Sequence, residues 1–261
     1  MKKIILLLVV LFLSAGEKSI GQSEMSMQGA YSLIRQTGAT EGSQDSLLKK
    51  DQFKIYTDRY FMYASPQTMD TMAIYGIGTY RVRGNKVTEY VFYSSMGGKQ
   101  KDTIELNITK TDTGYTQVIR FPGQGNRNFV MTEVYQNVGK PVTSPLDGAW
   151  EQERYMEISR EGDTTHYQRT QYKVYQSGYF IWANTYPAEG NNQPISSFGY
   201  GTFQLNGDTA SREVNTNSTF ITDLVGVPIN IQLEWMGQNR YKQTITNQSG
   251  SRSVEIYRRL K

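Results

Sequence analysis

The chain has no cysteine, one histidine and seven prolines in 261 residues. Without cysteine there is no disulfide framework, no thiol nucleophile and no lipid-anchored lipoprotein N-terminus. The single histidine, His166, has no second ligand or nucleophile-base partner of its own kind, so the sequence implies no metal site and no Ser-His triad. His166 is expected as a solvated loop or strand residue. Charge of one sign is scarce too: the formal net charge is +4. A balance this small is poor support for nucleic-acid binding. Only one long apolar run exists, Ile4 to Leu13. It falls short of the roughly 20 residues a membrane-spanning helix needs.

That run has its own meaning. Met1-Lys2-Lys3 precedes it, and small residues follow at Ser14-Ala15-Gly16 and Ser19-Ile20-Gly21. A basic start, a short apolar core and small residues are the layout of a secretory signal peptide. Residues 1–21 are therefore expected to be removed after Gly21, leaving Gln22 as the new N-terminus in the periplasm or outside the cell. Lys2, Lys3, Lys18 and Glu17 leave with them, so the formal charge falls from +4 to +2.

What remains is rich in tyrosine, at 19 residues, and in glycine, at 24. With few long helical patterns, that composition points to an all-β chain. It is also written twice. Tyr75-Gly76-Ile77-Gly78-Thr79-Tyr80 returns as Phe198-Gly199-Tyr200-Gly201-Thr202-Phe203. Each is followed by alternating polar and apolar residues, a tight turn at Gly84-Asn85 or Asn206-Gly207, and a glutamate, Glu89 or Glu213. Alternation marks strands, and Asn/Gly pairs supply the positive φ of a two-residue hairpin. Gly29-Ala30-Tyr31 matches Gly148-Ala149-Trp150, and Lys54-Ile55-Tyr56 matches Lys173-Val174-Tyr175. Tyr60-Phe61-Met62-Tyr63-Ala64 matches Tyr179-Phe180-Ile181-Trp182-Ala183 at the same offset of 119 residues. Near the ends of the copies, Tyr115-Thr116-Gln117 resembles Tyr241-Lys242-Gln243, and Glu133-Val134-Tyr135 resembles Glu255-Ile256-Tyr257.

Gly139 to Pro145 carries two prolines and reads as a linker. The expected organisation is a first barrel over 22–140, a linker over 141–145 and a second barrel over 146–261. Seven to nine short antiparallel strands fit in each copy, and closure into a barrel removes exposed edges. One short helix is expected, over Ser46 to Lys50 with Asp45 as its cap.

The Gly29-x-Tyr31 and Gly148-x-Trp150 openers resemble the Gly-x-Trp that begins the first strand of lipocalins. Together with the Gly-x-Gly-Thr-aromatic stretch, turn and glutamate, each copy resembles a lipocalin-like (calycin-type) barrel of exported bacterial proteins. The resemblance implies two tandem antiparallel lipocalin-like β-barrels, each able to hold a small apolar or amphipathic ligand. Fold alone does not fix which one.

Candidate sites follow from the strand faces. Gly199-x-Gly201 lacks the third glycine and following helix of a dinucleotide fingerprint. Glu89 shares a face with Val87 and Val91. Either that face is interior, and the carboxylate needs a partner such as Arg81, Arg83 or Arg212, or Tyr90 and Phe92 are inside and Glu89 is solvated. Glu89, Glu213, Tyr63, Trp182, Tyr80 and Phe203 are the expected ligand-lining set. The set Tyr60, Phe61, Tyr63, Tyr179, Phe180 and Trp182 is expected mostly as core; alternation lets half of it face outward, where tyrosine and tryptophan suit a glycan or protein partner. Ile221, Leu224, Val225 and Val227 make an apolar loop, expected as an inter-barrel contact or a lid. No catalytic group, metal site or cofactor is expected. The function expected is non-enzymatic binding of a small ligand, with an envelope interaction module as the alternative.

One further pattern stands apart. Five of the ten aspartates begin an Asp-Ser/Thr-x triplet whose third residue is apolar or threonine: Asp45-Ser46-Leu47, Asp70-Thr71-Met72, Asp102-Thr103-Ile104, Asp163-Thr164-Thr165 and Asp208-Thr209-Ala210. Asp before Ser or Thr is also ordinary turn chemistry. The triplets resemble acceptor sites of periplasmic O-glycosylation.

Overall fold

The structure, a computed structural model, describes residues 25–43, 45–48, 51–66, 74–96, 98–122, 128–187, 194–220 and 222–261. The predicted signal peptide, Thr71 and Ile221 lie outside the described residues.

The first copy contributes β1 (Gly29–Thr40), β2 (Ser46–Leu48), β3 (Phe53–Tyr56), β4 (Tyr60–Ser65), β5 (Ile74–Arg83), β6 (Lys86–Ser94), β7 (Gly98–Thr111), β8 (Gly114–Phe121) and β9 (Phe129–Asn137). The second repeats the series as β10 (Gly148–Ile158), β11 (Thr164–Tyr167), β12 (Thr170–Gln176), β13 (Tyr179–Tyr186), β14 (Ile195–Asn206), β15 (Ala210–Ser218), β16 (Pro228–Trp235), β17 (Arg240–Thr246) and β18 (Arg252–Arg259). Each copy is an antiparallel meander. Pairing of β1 with β9, and of β10 with β18, closes each into an eight-strand barrel.

Closure leaves β2 and β11 as short companions to the far halves of β1 and β10. The helix expected over Ser46 to Lys50 is therefore replaced, over its described part, by strand. β1 outruns β3, and the unpaired groups of Gln36–Gly38 take Ser46–Leu48 as a ladder partner. Tertiary pairing overrides a weak local preference here.

The repeated glycines have a packing cause. Gly84 and Gly207 sit at φ 59° and 63° in the two hairpin turns. Gly76 and Gly199 lie under aromatic rings: a Cβ there would stand 2.6 Å from Tyr63 Cε1 or 2.5 Å from Trp182 Nε1. Gly78 and Gly201 lie beside bulges, where a Cβ would stand 2.1 Å from the Tyr90 carbonyl oxygen or 1.9 Å from that of Val214. The Gly-x-Gly stretch is thus an aromatic shelf and a strand bend.

Each barrel is sealed at one end by the residues that precede its first strand. Met27 and Leu146 are buried, and they accept hydrogen bonds through their carbonyls from Tyr31 OH (3.0 Å) and Trp150 Nε1 (2.8 Å). This is the physical work of the Gly-x-aromatic opener. Arg259 lies over the Trp150 ring at 4.1 Å and donates to the Asp147 and Pro145 carbonyls, holding the linker against the second barrel.

The barrels join through their outer faces. β3 packs on β12, β4 on β13 and β5 on β14, so each of these strands meets its own repeat counterpart. The contact is a pseudo-twofold within one chain. Phe53, Ile55, Met62, Ala64 and Tyr75 meet Tyr172, Val174, Ile181, Ala183 and Phe198 in one buried cluster. Phe53 stacks on Tyr200 at 4.8 Å, and the Tyr75 hydroxyl meets Thr185 Oγ1 at 2.7 Å. Much of the outward aromatic set is consumed here: Tyr60 is buried in this cluster and Tyr179 packs against it. Neither is free for a glycan or protein partner.

Truncating Phe53 to alanine should therefore cost about 3–5 kcal/mol. Because the cluster is shared, both barrels should still unfold in one transition in calorimetry. Two separated transitions in the wild-type chain would contradict a common core.

Candidate functional site

Alternation carries Lys54, Glu89, Gln117 and Glu133 to the inside of the first barrel, and Lys173, Glu213, Gln243 and Glu255 to the inside of the second. All eight are buried. Lys54 Nζ lies 2.9 Å from Glu89 Oε1, and Lys173 Nζ lies 2.8 Å from Glu213 Oε1. Tyr56 and Tyr175 donate their hydroxyls to the same two carboxylates. Burial first, then the neighbouring glutamate charge, pushes both phenols well above their ordinary range, so they remain donors.

Glu89 is thus interior, on the Val87 and Val91 face. Its partner is none of the three arginines expected: Arg81, Arg83 and Arg212 are exposed on the outer face. A strand presents alternate residues to opposite faces, and all three have the outward parity. The partner is the lysine of the repeated Lys-x-Tyr, Lys54 or Lys173.

A second carboxylate sits in each barrel. Glu133 accepts from Gln36 Nε2, Gln117 Nε2 and the Tyr135 hydroxyl. Glu255 accepts from Gln171, Gln243, Tyr257 and, at 3.0 Å, the Arg169 guanidinium. The signal for these was the recurrence of Glu-x-Tyr and Tyr-x-Gln in both copies, since an interior polar residue repeated in register needs its repeated partner. With Lys, Tyr and Gln donors already engaged, these carboxylates form a structural layer across each barrel.

The remaining expected residues separate. Tyr63 and Trp182 cover Gly76 and Gly199 inside the barrels; Trp182 Nε1 donates to Asn215 Oδ1 at 3.0 Å. Tyr80 and Phe203 pack edge-on against Tyr56 and Tyr175, and Tyr80 donates to the Thr57 carbonyl. They belong to the aromatic packing below the polar layer. Leu224, Val225 and Val227 lie on the β15–β16 connection, outside the cluster that joins the barrels; Val225 and Val227 are exposed. His166 is exposed on β11. An open groove of about 490 Å³ beside the β14–β15 hairpin has only Arg212 as a charged wall.

The mouths differ. In the first barrel, Gln117 pairs with Glu133, then Ile119 with Met131, then Phe121 with Phe129. Each two-residue step rises about 7 Å. Across the seam, Gly38 faces Met131, and a Cβ on Gly38 would stand 2.5 Å from Phe129 and 3.1 Å from Leu48. Leu48, Ile119, Phe121, Phe129 and Met131 form an apolar rim above the polar layer, and Gln117 Oε1 is buried there without a hydrogen-bond partner among the described residues. At the same register, the second barrel has Ile245, Asn247, Ser251 and Ser253, with Glu157 in the place of Gly38. Arg169 fills its throat. It stacks on Tyr155 at 3.8 Å and donates to Gln152, Tyr186 and Glu255.

Among the described residues no helix is long and apolar enough to cross a membrane. No protein-family model matches the chain, and no curated protein is similar to it. Among solved structures, a protein of unknown function from the DUF3598 family of Nostoc punctiforme is similar at TM-score 0.28 and 11% identity, over 89% of this chain and 96% of that one. A Bacteroides fragilis protein described as a "putative outer membrane protein" is similar at TM-score 0.26 and 9% identity, over 90% and 98%. At these TM-scores neither likeness bears on what the chain does.

Two outcomes follow from the buried charges. Lys54→Met strands Glu89 in the interior and should destabilise the chain by about 3–5 kcal/mol, whereas Lys54→Met with Glu89→Gln should recover much of that loss in denaturant titration. Equal losses in both would mean the pairing is unimportant. Asp147, just before β10, is the second case. Burial pushes its carboxyl up to about 6, against smaller opposing effects from the Ser144 backbone N–H and Arg259. A folded value above the unfolded one means the fold favours the proton. This group's contribution to stability should then be fully present below about pH 4 and be lost as pH rises through about 6. Asp147→Asn should remove that slope in thermal melts across the window; an unchanged slope would assign it elsewhere.

Proposed function

We propose that this chain is an exported, non-enzymatic binding protein that holds a small amphipathic molecule at the mouth of its first, lipocalin-like barrel. The observation that carries this reading is the difference between two otherwise matched barrels. Their floors, ion pairs and glycine shelves repeat, yet the rim is Phe121, Phe129 and Met131 in one and Asn247, Ser251 and Ser253 in the other. Packing demands shared by both barrels do not account for that divergence. An apolar tail suits the rim, and a hydrogen-bond-donating group on the same ligand suits Gln117 Oε1 below it. The Arg169 plug gives the second barrel a supporting role.

The signal-peptide pattern supports export, and the Gly-x-aromatic opener with a closed eight-strand meander supports the lipocalin-like reading. Engagement of Glu89 and Glu213 by lysine and tyrosine supports a role in holding the barrel rather than in chemistry. The alternative, an interaction module, rests on exposed Phe220, Val225 and Val227.

Titration with the fluorescent amphiphile N-phenyl-1-naphthylamine tests the reading. The wild-type chain should bind one probe. Phe129→Ser, which grafts the second barrel's rim residue, should weaken binding about ten- to a hundredfold, the equivalent of losing one buried aromatic side chain. Ser253→Ala in the second barrel should leave it unchanged. No binding, or equal binding by Phe129→Ser, would overturn the assignment; a stoichiometric protein captured through Phe220 would favour the alternative.

A further inference from the structure

We infer that the Asp-Ser/Thr-x triplets are sites of O-glycosylation, with Ser46, Thr103, Thr164 and Thr209 as acceptors. All four side chains are exposed. They stand in different settings: the first residue of β2, the middle of β7, the first residue of β11 and the β14–β15 turn. A shared structural demand for Asp-Ser/Thr is therefore absent. Turn chemistry would require the aspartate carboxylate to accept a nearby backbone N–H. Among the described residues, Asp102, Asp163 and Asp208 accept no such bond through their carboxylates; Asp163 and Asp208 take part through backbone N–H and carbonyl groups. Among the described residues, Asp45 accepts only from the Thr37 hydroxyl, at 3.3 Å. Asp102-Thr103 is in mid-strand, paired with Val91 and Tyr90, and makes no turn at all. What the triplets share is chemical: a carboxylate, an exposed hydroxyl, then an apolar residue or threonine.

The chemistry favours a glycan over a phosphate. A phosphate beside each aspartate would set like charges next to one another. A glycan adds bulk and hydration without charge. In the transfer, the Ser or Thr Oγ attacks the anomeric carbon of a glycan carried on a lipid or nucleotide diphosphate. The new C–O bond forms as the anomeric carbon–phosphate oxygen bond breaks. The hydroxyl proton passes to a base of the transferase, and the diphosphate carrier leaves. The chain supplies only the acceptor. Asp112-Thr113-Gly114 is a built-in comparison: Thr113 is equally exposed, but the third residue is a buried glycine with no room for a side chain.

This inference rests on the export half of the proposed function and not on the ligand. The test is intact-mass measurement and peptide mapping of the full chain expressed in its native host. The expected result is an N-terminus at Gln22, a mass above that of the bare chain, and glycan on the triplet hydroxyls but not on Thr113. Thr164→Ala and Asp163→Asn should each remove the glycan at Thr164, the second while leaving the hydroxyl in place. A bare mass starting at Gln22 overturns glycosylation and leaves export standing. A bare mass starting at Met1 overturns both. Glycan confined to asparagine, equal modification of Thr113, or full retention at Thr164 in Asp163→Asn also overturns the triplet as the recognised unit.

Discussion

Each barrel is built around a lysine, a glutamate and a tyrosine that have left water together. Moving either charge alone into the interior costs several kcal/mol, and the pair is tolerable only with good geometry and with its remaining hydrogen-bonding capacity satisfied. Lys54 and Glu89, like Lys173 and Glu213, meet that demand from strands far apart in sequence. Register, turn position and strand parity all have to be right for them to meet, because a one-residue slip would send every side chain to the other face. The Gly84 and Gly207 turns and the bulges at Gly78 and Gly201 fix those variables between the fifth and sixth strands of each copy.

The second consequence is a layered interior. Aromatic rings close one end under Met27 or Leu146, and the glutamate–glutamine–tyrosine layer spans the barrel above. Only beyond that layer is each copy free to vary. Among the described residues, the first has an apolar rim there and the second has Arg169 and polar residues. The outer faces are less free, since the face formed by the third, fourth and fifth strands is buried against its own counterpart. Duplication therefore commits one face of each copy to the other and leaves the mouths as the place where the described residues differ.

The all-β barrels and their doubling were legible in the sequence because repetition and alternation are local signals. Gly29-x-Tyr31 and Gly148-x-Trp150 marked the first strand of each copy, though not the end that those rings seal. The partner of Glu89 was not legible. A face assignment says which way a carboxylate points, but Lys54 reaches it only through barrel closure, a non-local event. The fate of the outward aromatics depends on a non-local event too: Tyr60 and Tyr179 lie in or against the cluster that forms where the two barrels meet. The strand at Ser46–Leu48 was missed because its pairing depends on how far β1 outruns β3. Repetition of the polar residues themselves, Gln-x-Lys-x-Tyr and Glu-x-Tyr in both copies, was the unused clue.

The central claim is that the first mouth binds and the second is plugged. Hydrogen–deuterium exchange on the chain, free and saturated with N-phenyl-1-naphthylamine, addresses it directly. Added protection should appear at Gly38, Ile119–Phe121 and Phe129–Met131, and Tyr155, Tyr167 and Arg169 should exchange as in the free chain. Protection centred on the second barrel, or none at the first rim, would contradict the account.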